Sequence, residues 1–421
     1  MVDDAPIWLA ENRQFGFDDL VHWRGKVHGA DLADFEHIAR RISIVVLGPH
    51  ASAAFPHELH PFVSPSLTRR KQHDFSDVIT GAVGRAWAAC DARVVFVEAP
   101  HSRVAKDANR EHKADLEPAL REFFLRLRRQ RAGEAGVSFA GVDGVRPISF
   151  SGEDVLLEPE SDVAWARLVA ALNAASRLGF EPYNAAVESV VAAVRAARVA
   201  ASRVTLIGLH DTSSRKMRPD GAIVVERPAA EQLPALVNFG NLGDFRGEAK
   251  SGVKPLMDGA AMRRVAHAWC SAFGFEHVDA HFGEPAGYAR DEVASFNRPY
   301  AGGVEVKRWA RRLSAAGEEG GLPFACDVFQ VEFERDALLG DTVSAALREP
   351  GGGWPAVDEQ HVANVASCLR AATDQLNPQA NDERPIFGRA LLLLCGTTLA
   401  LAVAVGLWGQ RSVGRLALPY W

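Results

Sequence analysis

The residues with chemistry to offer are histidines placed where apolar runs stop. Ile42-Ser43-Ile44-Val45-Val46-Leu47 is closed by Gly48-Pro49, and His50 follows at once. Val204 to Leu209 is a second apolar run, and it ends on His210-Asp211. Between the two, His73-Asp74-Phe75-Ser76-Asp77 leads into a helical pattern that continues through Trp87. An imidazole at a strand end and a carboxylate at the head of a helix form a donor pair for a divalent metal. Catalytic zinc accepts both kinds of ligand together and keeps one position open for water. One histidine at such a place more often simply packs, so two strands ending in histidine carry more weight than one. A further carboxylate, Glu332, stands near the end of the strand pattern Asp327 to Glu334. His57, Glu58 and His60 are rivals, but they lack the His-Glu-x-x-His spacing that puts two imidazoles on one helix face.

Such placement needs a sheet whose strands finish along one edge, because open α/β sheets bind ligands just beyond the carboxyl ends of their strands. Short apolar runs closed by turn signals read as buried parallel strands. Arg93 to Glu98 and Val137 to Val142 are further strand patterns. Helical patterns alternate with them at Leu116 to Arg131, Asp162 to Leu178, Ala185 to Ala201 and Val306 to Ser314. Ser161-Asp162 caps the second of these helices and Gly179 closes it. The alternation predicts an α/β fold with a mostly parallel sheet covered on both faces. The stretch Pro350-Gly351-Gly352-Gly353-Trp354-Pro355 reads as a flexible break, followed by a helix over Glu359 to Leu376.

Composition excludes several classes. With 421 residues, 48% of them hydrophobic and 24% charged, the chain can bury a large core. A formal charge of −6 gives no general pull toward nucleic acid. The arginines of the run 126–131 read as a solvated helix face. The five cysteines are far apart with no C-x-x-C pair, which argues against a disulfide framework or thiolate zinc knot and for a reducing compartment. The start of the chain lacks the basic and apolar regions of a secretory signal.

Taken together, Pro49-His50, His73-x-x-x-Asp77, Ser102-Arg103-x-x-x-Asp107-x-Asn109-Arg110, Leu209-His210, Pro299-Tyr300-x-Gly302-Gly303 and Val331-Glu332-x-x-x-Asp336 resemble the N-formylglutamate amidohydrolase family in order and rough spacing. The resemblance spans roughly residues 42 to 339, and its most specific piece is the block from Ser102 to Arg110. It implies a zinc carboxypeptidase-like, three-layer α/β/α sandwich around a mostly parallel mixed sheet. It also implies zinc-dependent hydrolysis of an N-formyl or N-acyl amino acid by metal-activated water.

Carried over by position, the resemblance gives His50, Asp77 and His210 as ligands of one Zn2+ and Glu332 as general base. Arg103, Asn109 and Arg110 become the contacts of an acidic substrate, since guanidinium offers paired donors in the geometry a carboxylate accepts. An ion pair between Asp107 and an arginine is expected to brace the same block. Two places depart from the family pattern. Gly208 stands where an acidic residue usually precedes the third ligand by two, and Ala51-Ser52 replaces the usual small residue and glycine after Pro-His.

Three readings follow: an amidohydrolase of N-formylglutamate-like small molecules, a carboxypeptidase-like hydrolase of small peptides or amide-linked glutamate, and a membrane-anchored pseudo-enzyme acting as a binding module. The expected organisation is an N-terminal extension over 1–41, the metal-dependent domain over 42–345, a linker with a short helix over 346–385, a transmembrane helix over 386–410 and a tail over 411–421. The uncharged run 390–408 would measure roughly 28 Å as a helix, close to the thickness of a hydrocarbon core. It predicts membrane contact, with the catalytic domain cytoplasmic and attached to the inner face of the membrane.

Overall fold

The computed structural model describes residues 3–112, 115–197, 203–275, 292–318 and 326–376. In chain order α1 (Phe17–Leu20) runs into β1 (Val21–Trp23), and α2 (Leu32–Ile38) leads to β2 (Ile44–Gly48). Then come α3 (Arg69–Asp74), α4 (Val78–Cys90), β3 (Val94–Glu98) and α5 (Leu116–Arg131). Next, α6 (Asp162–Ala175) passes through a π turn at Ser176–Phe180 into α7 (Glu181–Ala196). β4 (Val204–Thr212) is followed by the strands β5 (Arg215–Met217) and β6 (Ile223–Glu226), then by β7 (Val237–Gly240) and α8 (Gly259–Ala272). The last elements are β8 (Ala294–Phe296), α9 (Val304–Glu318), β9 (Cys326–Glu334), α10 (Arg335–Leu339), α11 (Asp341–Arg348) and α12 (Glu359–Leu376).

The main sheet has the order β1-β3-β2-β4-β9-β7-β8 among the described residues. Its four middle strands, β3, β2, β4 and β9, are mutually parallel, while β1 and β7 pair antiparallel at the two sides. β2 is buried throughout, as expected of a central parallel strand covered on both faces. Val45 and Leu47 pack with α2, α7 and α9 through Phe35, Val187, Val190 and Trp309. On the opposite layer Trp87 of α4 meets Trp269 of α8 edge-on, and Trp269 stacks on Phe333 of β9. This gives the expected α/β/α layering. A separate apolar cluster joins α5 and α6 to the irregular segment 139–156, with Phe123, Trp165 and Leu168 at its centre.

Four expectations need correction. His210 does not follow the end of a strand; it lies inside β4. β9 runs beside β4 in register from Val204↔Cys326 to Thr212↔Glu334 and keeps the backbone extended past the histidine. No strand forms over 137–142. Gly141 turns the chain there at φ +77°, and Phe139 stacks on Phe123 of α5 instead of joining the sheet. The helix from Asp162 does not stop at Gly179, because the π turn carries it into α7. The Gly/Pro run near 350 is tied down. The Arg70 backbone donates to Gly352 O at 2.7 Å, and its guanidinium reaches Gly353 O at 2.8 Å and Glu349 O at 2.5 Å.

The segment before Ile42 supplies the edge strand β1, paired with β3 from Val21↔Val97 to Trp23↔Val95. One compact unit ends at Thr373. The proposed membrane span over 386–410 and the tail over 411–421 lie outside the described residues. Among the described residues no helix is long and apolar enough to cross a membrane.

Candidate active site

The segments leaving β2, β3, β4 and β9 enclose a cleft of about 220 Å3. β2 delivers His50 two residues past Gly48. The Asp77 backbone N–H donates to His50 O at 3.0 Å, which fixes the head of α4 to that strand end. Asp77 occupies the N-cap position of α4 but makes no side-chain cap, so its carboxylate is available to the histidines. Asp77 Oδ2 lies 3.1 Å from His50 Nδ1 and 2.9 Å from His210 Nδ1. One potential ligand atom from each of the three buried residues can be chosen so that all lie within 4.8 Å of one another.

These residues fit a divalent cation. Two imidazoles and one carboxylate are the donor set of catalytic zinc. His50 Nε2 lies 2.8 Å from Asp107 Oδ1, and metal-binding histidines characteristically give their other ring N–H to a carboxylate. Asp107 in turn accepts from Arg103 Nε at 2.7 Å and from its Nη2. Asp211 Oδ1 accepts from Arg335, while its Oδ2 is buried in the cleft with no hydrogen-bond partner among the described residues. Burial opposes ionisation of Asp77, yet His50 and His210 outweigh it and hold the carboxyl well below the usual range. Burial pushes the Asp211 carboxyl the other way, up to about 7, with Arg335 opposing and Asp77 adding to the rise.

Strand register brings Glu332 to the same place. It pairs with His210 across β4 and β9, so the two side chains are neighbours on one face of the sheet. Thr212 Oγ1 donates to Glu332 Oε2 at 3.0 Å and Gln330 Nε2 donates to Oε1 at 2.8 Å. The residue is only 7% exposed, and burial raises its carboxyl, with His210 opposing and Asp77 adding.

Arg103, Asn109 and Arg110 line the cleft from the segment after β3. Asn109 Nδ2 lies 3.4 Å from His210 Nε2 and 3.3 Å from Gln330 Oε1. Its side chain presses on Gly303, where an added Cβ would fall 1.8 Å from Asn109 Oδ1. Arg110 donates from Nε to Asp143 at 2.9 Å and from Nη1 to the Asn109 carbonyl at 3.1 Å. Arg103 lies over the Phe150 ring at 4.9 Å.

His50, Asp77, His210, Glu332, Arg103, Asn109 and Arg110 therefore share one cleft. His57 and His60 are elsewhere, stacked on each other at 5.7 Å, and Glu58 accepts from the Asn12 backbone at 2.8 Å. The surroundings of Gly208 are tight. A Cβ there would sit 3.0 Å from Val306 Cγ1 of α9, leaving little room for an acidic side chain. Sequence reasoning did not single out Asp107 as a partner of His50, nor Gln330, Thr212, Arg227 and Arg335 as parts of the cleft. Gln330 and Thr212 had a signal: each lies two residues from a named site residue on its strand, and so faces the same way.

Residues 42–336 match the family model described as N-formylglutamate amidohydrolase. Among solved structures, the crystal structure of N-formylglutamate amidohydrolase from Ralstonia eutropha JMP134 is similar at 16% identity and a TM-score of 0.42, over 85% of this chain and 98% of that one. No curated protein matches the chain. The family match extends over well more than half of the 421 residues and contains every residue of the His50, Asp77, His210 and Glu332 cluster, so the chain belongs to the N-formylglutamate amidohydrolase family.

Proposed function

We propose that this protein hydrolyses the amide of an N-acylated acidic amino acid, N-formyl-L-glutamate above all, using one divalent metal ion held by His50, Asp77 and His210. The observation that carries the reading is the convergence of both Nδ1 atoms on one Asp77 oxygen, with Glu332 in register beside His210. A divalent ion held there would polarise the amide carbonyl and lower the pKa of a water molecule. Glu332, with both oxygens held by Thr212 and Gln330, takes the proton of the attacking water. It returns that proton to the amide nitrogen as the C–N bond breaks, giving formate and the free amine. Asn109 and Arg110 bind the substrate's α-carboxylate, and Asp107 keeps the His50 ring in place.

A cleft of about 220 Å3 suits a small N-acyl amino acid better than a peptide chain, which favours this reading over the carboxypeptidase-like one. A donor set with a carboxylate base beside it also argues against a pure binding module. The test is formate release from N-formyl-L-glutamate by purified protein of measured metal content. Formate and glutamate should appear in equal amounts, stop on chelation and return with a divalent ion. Metal-loaded protein that releases no formate from any N-formyl amino acid would overturn the proposal.

A further inference from the structure

A substrate such as N-formylglutamate carries two carboxylates, and one guanidinium can fork only one of them. Arg110 and Arg103 come from the segment after β3 and spend much of their donor capacity on Asp143, Asp107 and the Asn109 carbonyl. A further guanidinium reaches the same cleft from a different segment. Arg227 follows β6 and lines the cleft, and its side chain is 11% exposed.

Its placement is fixed from several sides. The Arg227 backbone N–H donates to Ser214 O at 2.9 Å, and its carbonyl accepts from Gln232 Nε2 at 2.7 Å. Nε donates to the Ser213 carbonyl at 2.8 Å, just past the end of β4. Nη1 has only a 3.5 Å approach to Glu231, a half-exposed carboxylate that Lys216 also approaches at 3.7 Å. Nη2 has no hydrogen-bond partner among the described residues. Arg227 is also a charged neighbour of Tyr300, which lines the same cleft. An arginine this far withdrawn from water, anchored at Nε and with its outer edge largely unspent, is pre-organised to accept an anion.

We infer that Arg227 binds the side-chain carboxylate of the substrate and sets the preference for acidic over neutral N-acyl amino acids. The inference rests on the proposed function and adds the residue that selects within it. A neutral side chain would leave the guanidinium edge desolvated and unpaired, whereas a carboxylate gains two charge-assisted bonds.

The test compares wild type with Arg227→Met and Arg227→Lys on N-formyl-L-glutamate and its isostere N-formyl-L-glutamine. The ratio of kcat/KM, acid over amide, should fall about a hundredfold in Arg227→Met, as for loss of one partner of a desolvated charge pair. It should recover only partly in Arg227→Lys. A ratio unchanged from wild type overturns the assignment, whatever happens to the two rates separately. Calorimetric binding of L-glutamate and L-glutamine to the same proteins decides the point without turnover. Wild type preferring glutamate, with the preference lost in Arg227→Met, supports Arg227 even if no N-formyl substrate is cleaved. Equal binding by wild type, or an equal preference in the variant, overturns it.

Discussion

Replacing Glu332 with Gln separates a proton-transfer role from a metal-ligand role, because the structure shows what the amide would do. Glu332 accepts from Gln330 Nε2 at 2.8 Å and from Thr212 Oγ1 at 3.0 Å. A glutamine can turn its carbonyl toward Gln330 and its NH2 toward Thr212, whose hydroxyl rotates to accept. Both bonds survive, the one to Thr212 with donor and acceptor exchanged, so the structural cost is about 1 kcal/mol at most. Loss of a general base typically slows a reaction by about 10²- to 10⁴-fold, or roughly 3–5.5 kcal/mol of activation free energy. The catalytic loss therefore exceeds the structural one severalfold. Initial rates of formate release at saturating N-formyl-L-glutamate should show kcat down by at least about a hundred, with unchanged melting temperature and metal content. A kcat within about threefold of wild type would refute the base assignment, and a variant that loses its metal would make Glu332 a ligand instead.

Three further outcomes follow from the same geometry. Gly303→Ala puts a Cβ 1.8 Å from Asn109 Oδ1, so Asn109 must move off His210. kcat/KM should drop about a hundredfold with metal retained, and near-normal kinetics would show that Asn109 positions nothing. Arg110→Lys cannot keep the bonds to Asp143 and the Asn109 carbonyl while also forking a carboxylate. It should impair free-acid substrates about a hundredfold and α-amidated ones little; equal impairment of both would make Arg110 structural. His73 stacks on Trp354 and is held at about 4 rather than 6.5, chiefly by burial. Between those values the unfolded chain binds a proton that the folded one refuses, so stability is full above 6.5 and is lost as pH falls toward 4, by at most about 3 kcal/mol. Denaturation of His73→Phe should show a shallower acid loss over that window, and identical pH profiles would contradict the burial argument.

What could be read from the sequence was whatever short-range patterns encode. The α5 and α12 bounds follow from periodicity alone, and the β2 and β3 runs are apolar because both sheet faces are covered. His50 and Asp77 stand out because residue type coincides with a strand end and with the head of a helix. Longer-range features were not legible. His210 lies within β4 because β9 pairs alongside it, a fact located more than a hundred residues away. Three-residue strands such as β1 and β8 are too short to show alternation. Phe139 and Val142 look like strand residues but serve the α5 cluster. Arg227 is one of many arginines in the sequence, and only the fold brings it to the cleft.

The central claim is that His50, Asp77 and His210 together hold one divalent ion on which hydrolysis depends. Elemental analysis of the purified full chain and of His210→Ala, each paired with formate release from N-formyl-L-glutamate, tests it directly. The account predicts about one metal ion per chain in wild type, and in His210→Ala a metal content near zero with no measurable turnover. A His210→Ala protein that keeps a full equivalent of metal and wild-type formate release would contradict it.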